Sequence, residues 1–181
     1  MKTHSLVALL LTCAALGGCA SLSQNECLTA DWESIGYRDG SRGYDAGRVG
    51  AHSEACAEHG IKADRQLYEE GRLRGLELFC TGENGVRLGR QGYSYSGVCP
   101  LSLEGSFMRG FQFGRELNAI DLRMQELRSE THKVQTELKR EEPPLADRDR
   151  DYLLHRLREL EREYGRMEAE LRMAESRARD F

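Results

Sequence analysis

The sequence predicts an all-α protein: a small, disulfide-stapled, Gly-rich helical domain followed by a long antiparallel coiled-coil hairpin. Three observations predict it. Two late stretches repeat apolar residues in alternating steps of three and four, the seam of a coiled coil. Cysteines recur through the first half at Cys27, Cys56, Cys80 and Cys99. Glycine stops where charge rises: beyond the first 18 residues the chain has 17 glycines, 16 of them at or before Gly114 and only Gly165 later. Residues 115–181, in contrast, hold 15 of the 26 Lys/Arg and 17 of the 30 Asp/Glu.

The N-terminal element is a targeting segment. Lys2 precedes an apolar run from Leu6 to Leu16, too short for the ~20 residues that span a bilayer and of the length of a signal peptide. It ends in Leu16-Gly17-Gly18-Cys19, which resembles the lipobox read by lipoprotein signal peptidase. Residues 1–18 are therefore expected to be removed and Cys19 to become the lipidated first residue, as Thr12 fits poorly before the other candidate, Cys13. Analogy with lipoproteins implies a thioether-linked diacylglycerol and an amide-linked acyl chain. At ~0.8 kcal/mol per buried methylene, more than one chain makes release negligible. Ala20 follows, not the aspartate that commonly retains lipoproteins in the inner membrane, so the expected address is the periplasmic face of the outer membrane in a bacterial cell envelope. Residues 19–26 are expected to form a short lipidated tether.

What remains, residues 19–181, suffices for one modest domain and an extension. Charged residues make up 31% of the sequence, aromatics 7%, and mean hydropathy is −0.62. The formal net charge of −4 gives no broad cationic field, which excludes nucleic acid as an expected partner.

The proximal domain, residues 27–114, is bounded by its cysteines. An even set of four in an oxidising compartment predicts two disulfides. Helices are expected near 30–41, 46–59, 64–80 and from 102 onward, with the stretch from Gly82 to Gly97 as a disulfide-closed loop. Successive antiparallel hairpins would bring Cys27 to Cys56 and Cys80 to Cys99. Cys56 and Cys80 would lie roughly 20 Å apart, at opposite ends of adjacent helices. The alternative pairing is Cys27 with Cys80 and Cys56 with Cys99.

Three segments place an aromatic residue beside a strip of small ones: Tyr44-x-x-Gly47-x-x-x-Ala51, Tyr68-x-x-Gly71-x-x-x-Gly75 and Phe107-x-x-Gly110-x-x-x-Gly114. An interior helical glycine costs ~1 kcal/mol against alanine, so close helix–helix approach is expected to offset it. A membrane-embedded dimer motif is excluded by Glu69, Glu70, Arg72 and Arg74 around the second copy. Uneven spacing of the copies argues against a solenoid.

The order Cys27, Trp32, Gly36, Asp39-Gly40, Gly43, Cys56, Tyr68-x-x-Gly71-x-x-x-Gly75-Leu76, Cys80, Gly89, Tyr95 and Val98-Cys99-Pro100 resembles the bacterial lipoprotein family catalogued as domain of unknown function 2799. The resemblance covers about residues 27–114 and implies no assigned activity.

The residues invite three chemistries. His52-x-x-x-Cys56-x-x-His59, with Cys80, has the makings of a zinc ligand set, against which an oxidised Cys56 and two exposed histidines are expected. A Cys/His nucleophile requires a spare, low-pKa thiolate, which an even set of cysteines does not supply. The Gly82–Gly97 stretch lacks the Gly-Lys-Ser/Thr ending of a phosphate loop and a preceding strand. No catalytic residue, metal site or cofactor is therefore expected. The expected function is a non-enzymatic outer-membrane lipoprotein acting as an envelope structural or protein-interaction module. The alternative is a periplasmic metal-binding or redox-responsive protein.

The distal element, residues 115–181, carries one stripe at Leu117, Ile120, Met124, Leu127, Thr131, Val134 and Leu138 and a second at Leu153, Leu157, Leu160, Tyr164, Met167, Leu171, Ala174 and Ala178. Pro143-Pro144 separates them, with Asp147 or Asp149 expected to cap the second helix. If the chain turns back there, Leu138 meets Leu153, Val134 meets Leu157, Leu127 meets Tyr164 and Leu117 meets Ala174. A one-heptad slip aligns as well. A solvated helix pair without a partner and a parallel homodimeric coil are the competing arrangements. The implied partners are the membrane, through lipid on Cys19, and a protein or a second copy along the coiled coil.

Overall fold

Apolar spacing and local capping fold the chain into helices, and the computed structural model describes residues 21–178 and 181. The expectations for the signal segment, Cys13 and Cys19 lie outside these residues. Seven helices and no strand occur among the described residues: α1 Gln24–Leu28, α2 Trp32–Gly40, α3 Arg48–Ala57, α4 Arg65–Phe79, α5 Gly82–Arg90, α6 Leu101–Leu138 and α7 Asp147–Arg177. The all-α class is as predicted. None of these helices is long and apolar enough to cross a membrane.

Side-chain caps start most of the short helices. Ser23 and Glu26 form a reciprocal capping box on α1, and Asp31, Asp64 and Thr81 accept backbone N–H bonds at the starts of α2, α4 and α5. Residues 21–26, expected to be the end of a tether, thus belong to the fold, with Leu22 only 3% exposed in the first core cluster. The expected loop from Gly82 onward opens instead as α5. Asp147 and Asp149 do not cap α7; they sit in its first turn, where their charge favours the positive end of the helix dipole.

Helix pairing differs from the expected succession of antiparallel hairpins. α2 packs on α4, and α5 packs on α6. Gly36 lies against Tyr68 and Gly40 against Arg72, while Gly71 meets Glu33 and Gly75 meets Tyr37, so α2 and α4 run parallel. The same relation holds between Gly85 and Phe107, Gly89 and Phe111, Gly110 and Gly82, and Gly114 and Val86. At each of these eight glycines a Cβ would overlap a backbone carbonyl oxygen of the facing helix. Backbone-to-backbone contact is the compensation for the glycine propensity cost, and it brings Cα–H groups onto carbonyl oxygens. The Tyr44 copy of the motif is not such a strip: Gly47 precedes α3 and Ala51 is exposed.

The two pairs are copies of one unit. Gly36-x-x-x-Gly40-x-x-Gly43-Tyr44 matches Gly85-x-x-x-Gly89-x-x-Gly92-Tyr93. Both runs close with the same hydrogen bonds: Gly43 N–H to Gly40 C=O (2.9 Å) and Tyr44 N–H to Asp39 C=O (3.1 Å), against Gly92 N–H to Gly89 C=O (3.0 Å) and Tyr93 N–H to Leu88 C=O (3.1 Å). Gly43 and Gly92 take φ of +78° and +75°, the left-handed region that ends a helix cheaply only with glycine. The second helix of each unit then repeats aromatic-x-x-Gly-x-x-x-Gly, as Tyr68–Gly75 and Phe107–Gly114.

One disulfide staples each unit, with the preferred pairing: Cys27–Cys56 at a Cα–Cα distance of 5.3 Å and Cys80–Cys99 at 5.7 Å. Cys27 reaches Cys56 through contact of α1 with α3, and not through an α2–α3 hairpin. Replacing both cysteines of either pair by serine is expected to cost ~2–5 kcal/mol in a domain of this size. Denaturant titration of each double variant checks it, and a shift of the unfolding midpoint too small for ~1 kcal/mol would show the staple to be dispensable.

Four apolar clusters follow one another along the chain, each sharing a helix with the next. The first gathers Leu22, Trp32, Ile35, Val49 and Tyr68; the second Leu76, Phe107 and Phe111; the third Phe113, Leu117 and Ala174; the fourth Leu127, Val134 and Leu160. The last two form the seam of an antiparallel α6–α7 hairpin within one chain. Their membership agrees with the mirrored stripes: Ile120 and Leu171 join the third cluster, and Leu138, Leu153, Leu157 and Tyr164 join the fourth. α6 is 38 residues long, ~57 Å at 1.5 Å per residue, and its first third lies inside the domain. Arg90 of α5 pairs with Asp121 of α6 and Glu175 of α7, both at 2.9 Å, bolting the base of the arm to the second unit.

Candidate functional site

Duplication supplies an internal control for which buried residues the fold requires. Where the second unit has Leu88, Phe107 and Phe111, the first has Asp39, Tyr68 and Arg72. In the second unit these positions are apolar packing: the Phe107 ring lies 5.9 Å from Phe111 and 5.6 Å from Phe79, with Tyr95 against it at 4.7 Å. Burial raises the Tyr95 phenol above its ordinary pKa, and its hydroxyl accepts from the Cys99 N–H at 3.0 Å. The same framework therefore closes without any buried charge.

In the first unit the equivalent space is polar. Asp39, on α2, is 2% exposed, and its Oδ2 accepts from the Tyr68 hydroxyl of α4 at 2.9 Å. The same oxygen lies 2.7 Å from His52 Nε2 and 3.5 Å from Arg48 Nε, both on α3. The far side of the imidazole reaches out of the unit, with Nδ1 2.8 Å from Ser21 Oγ. Desolvation first, then the hydrogen bond to Asp39, pushes the Tyr68 phenol far above its ordinary pKa, so it stays a donor. Arg72 makes two 2.7 Å bonds to Glu69 and donates to the Tyr44 carbonyl at 3.3 Å; the Glu69 bonds raise its already high pKa further. Arg48 also lies 3.8 Å over the Tyr44 ring.

The structure corrects one expectation about this region. His52 is not exposed: it is 1% exposed, with both ring nitrogens occupied by Asp39 and Ser21. Cys56 is bonded to Cys27, Cys80 lies in the second core cluster, and His59 is half-buried near the end of α3. Among the described residues, no group of three or more His, Cys, Asp or Glu is arranged to hold a metal ion. Ser21, His52 and Asp39 are connected in the order of a nucleophile triad. The inner two are closed to solvent, and the carboxylate is shared with Tyr68 and Arg48.

Sequence reasoning missed this cluster. Its signal was the mismatch between Asp39 and Leu88 in the repeated glycine run, which becomes readable only when the two runs are aligned on Gly43-Tyr44 and Gly92-Tyr93.

The other feature able to act on a partner is the arm. Its seam is consumed within the hairpin, leaving outward faces crossed by partly exposed ion pairs such as Arg123–Glu163 at 2.7 Å and Arg156–Glu130 at 2.6 Å. Exposed pairs of this kind contribute ~0–1 kcal/mol each to folding.

No curated protein and no solved structure matches the chain. A family model described as "Protein of unknown function (DUF2799)" matches residues 31–116. The match starts at the Asp31 cap of α2 and ends where α6 leaves the second unit, so it spans both glycine-paired helix pairs and stops before the first residue of the arm's apolar stripe, Leu117. Residues 31–116 are thus similar to the DUF2799 family over the two glycine-paired units, and the α6–α7 coiled coil continues beyond the match.

Proposed function

We propose that the protein is a non-enzymatic lipoprotein of the bacterial envelope, anchored at the periplasmic face of the outer membrane through Cys19, whose α6–α7 arm engages a protein partner or a second copy. The observation that carries the proposal is the arm itself. A helical hairpin with a closed apolar seam, bolted at its base by Arg90, Asp121 and Glu175, is suited to project and to present surface. Leu16-Gly17-Gly18-Cys19 supports the anchor. Two disulfides suit the oxidising compartment such an anchor implies. Metal binding would require His52 and Cys56 to leave Asp39 and Cys27, their partners in the fold. Four blocked thiols and no zinc in the purified protein are expected on thiol titration and metal analysis.

Cys19→Ser is expected to release the chain from the membrane fraction or to leave the precursor uncut. Unchanged fractionation with an unchanged mature mass would dispose of the anchor. Crosslinking in intact cells, with and without residues 115–181, tests the role of the arm. Adducts that persist without the arm would move the contact surface to the Gly-rich domain.

A further inference from the structure

The polar cluster of the first unit needs a reason that folding does not supply, since Leu88, Phe107 and Phe111 close the same framework in the second. Burying a carboxylate and an imidazole is unfavourable unless every polar atom finds a partner. Tyr68 and His52 both hydrogen-bond to Asp39 within the unit, Arg48 adds a charge contact at 3.5 Å while its buried Nε finds no hydrogen-bond partner, and one hydrogen bond leaves the cluster: His52 Nδ1 to Ser21 Oγ at 2.8 Å. With Nε2 turned to Asp39, the other ring nitrogen, Nδ1, faces the serine hydroxyl, so Asp39 orients the ring that receives Ser21.

Resting on the lipid anchor proposed above, we propose that the Asp39–His52–Tyr68 cluster is a socket for the chain's own N-terminal segment, which grips Ser21 and makes the first unit the end of the molecule that faces the lipid surface. Cys19 lies two residues before Ser21, a reach of at most ~7 Å in an extended chain. A flexible tether over residues 19–26 would spread over ~15 Å and leave the domain free to tumble. That slack is absent from Ser21 onward: Leu22 is buried, Ser23 and Glu26 lock the start of α1, and Cys27 is bonded to Cys56. The disulfide alone would leave the residues before Cys27 loose, and the socket removes that freedom. Arg48, stacked on Tyr44 beside Asp39, places a cation and an amphipathic ring at the same end, residue types suited to the headgroup layer. The arm leaves from the other unit.

Peptide-resolved hydrogen exchange on the mature chain, reconstituted in phosphatidylcholine vesicles, tests the socket. Two variants are compared with the parent: Ser21→Ala, and Asp39→Leu/His52→Leu/Tyr68→Phe, which gives the first unit the apolar character of the second. Both are expected to speed exchange in the peptide covering residues 20–26 about tenfold, the scale of one lost hydrogen bond, with α5 and α6 peptides unchanged. Ser21→Ala removes one hydroxyl and keeps the inference testable should the triple variant fold poorly. Unaltered exchange of residues 20–26 in both variants, or unprotected exchange there in the parent, would overturn the socket. Mass of the N-terminal peptide separates the two ideas: a chain without acyl groups sinks the anchor, while a chain acylated but unaltered by the variants sinks the socket alone.

Discussion

Gly71→Ala is expected to destabilise the protein by ~3 kcal/mol or more, although alanine is the better helix former. Propensity alone predicts a gain of ~1 kcal/mol for a glycine inside a helix. Gly71 faces the Glu33 carbonyl and the Tyr37 amide of α2, and a methyl there overlaps backbone, which cannot rotate away as a side chain can. The two helices must separate. Overpacking of this kind costs ~1–3 kcal/mol by itself. Separation also stretches the Tyr68–Asp39 bond one turn away, and each buried polar group left unpaired adds ~1–3 kcal/mol. Gly165→Ala provides the opposite sign: Gly165 lies within α7 with nothing near its missing Cβ, so ~0.5–1 kcal/mol of stabilisation is expected. Denaturant midpoints of the two variants decide the matter, and a neutral or stabilising Gly71→Ala would mean that α2 and α4 do not touch through their backbones.

The contrast between those two glycines shows what the sequence could and could not disclose. Periodicity marked α6 and α7 because the a/d stripes are local, and Pro143-Pro144 fixed where they part. The expected disulfide pairing holds although its premise does not: neighbouring helices do not pair in sequence, and α2 passes over α3 to lie parallel to α4. Nothing in the spacing of apolar residues distinguishes the two, since a glycine strip is as silent about its partner's direction as about its identity. α5 reads as loop in the sequence because five glycines between residues 82 and 97 outweigh the Thr81 cap and the Gly85–Gly89 strip. Tertiary contact overrode propensity there. Beside Cys56 and His59, His52 reads in the sequence as a ligand or a solvent-exposed residue, and neither reading includes a carboxylate 13 positions earlier on another helix. Its role is non-local, and a non-local hydrogen bond leaves no periodic trace.

Leu127→Asp is expected to melt the arm while leaving the Gly-rich domain folded. Leu127 and Leu160 are both fully buried in the fourth cluster, where Val134 is the other buried member. Truncating a core leucine costs ~2–5 kcal/mol, and a charge with no partner in that seam adds several more. The ion pairs that cross the hairpin, Arg123–Glu163 and Arg156–Glu130, are too exposed to offset such a loss. Below the lesion, Phe113, Leu117 and Ala174 pack with Val86 of α5 in a separate cluster, so the base has its own core. Circular dichroism should therefore lose helical signal equivalent to most of the arm, with both native disulfides intact by non-reducing peptide mapping. Paired cysteines give the sharper measurement. Introduced at Val134 and Leu157, which share the fourth cluster, they should crosslink within one chain under oxidation; introduced at Val134 and Leu171, which lie in different clusters, they should not. Dimers alone from the first pair would make the arm an intermolecular coil and self-association its leading role. Failure of both pairs to link would mean that the stripes of α6 and α7 face some other surface, and the hairpin would have to be given up.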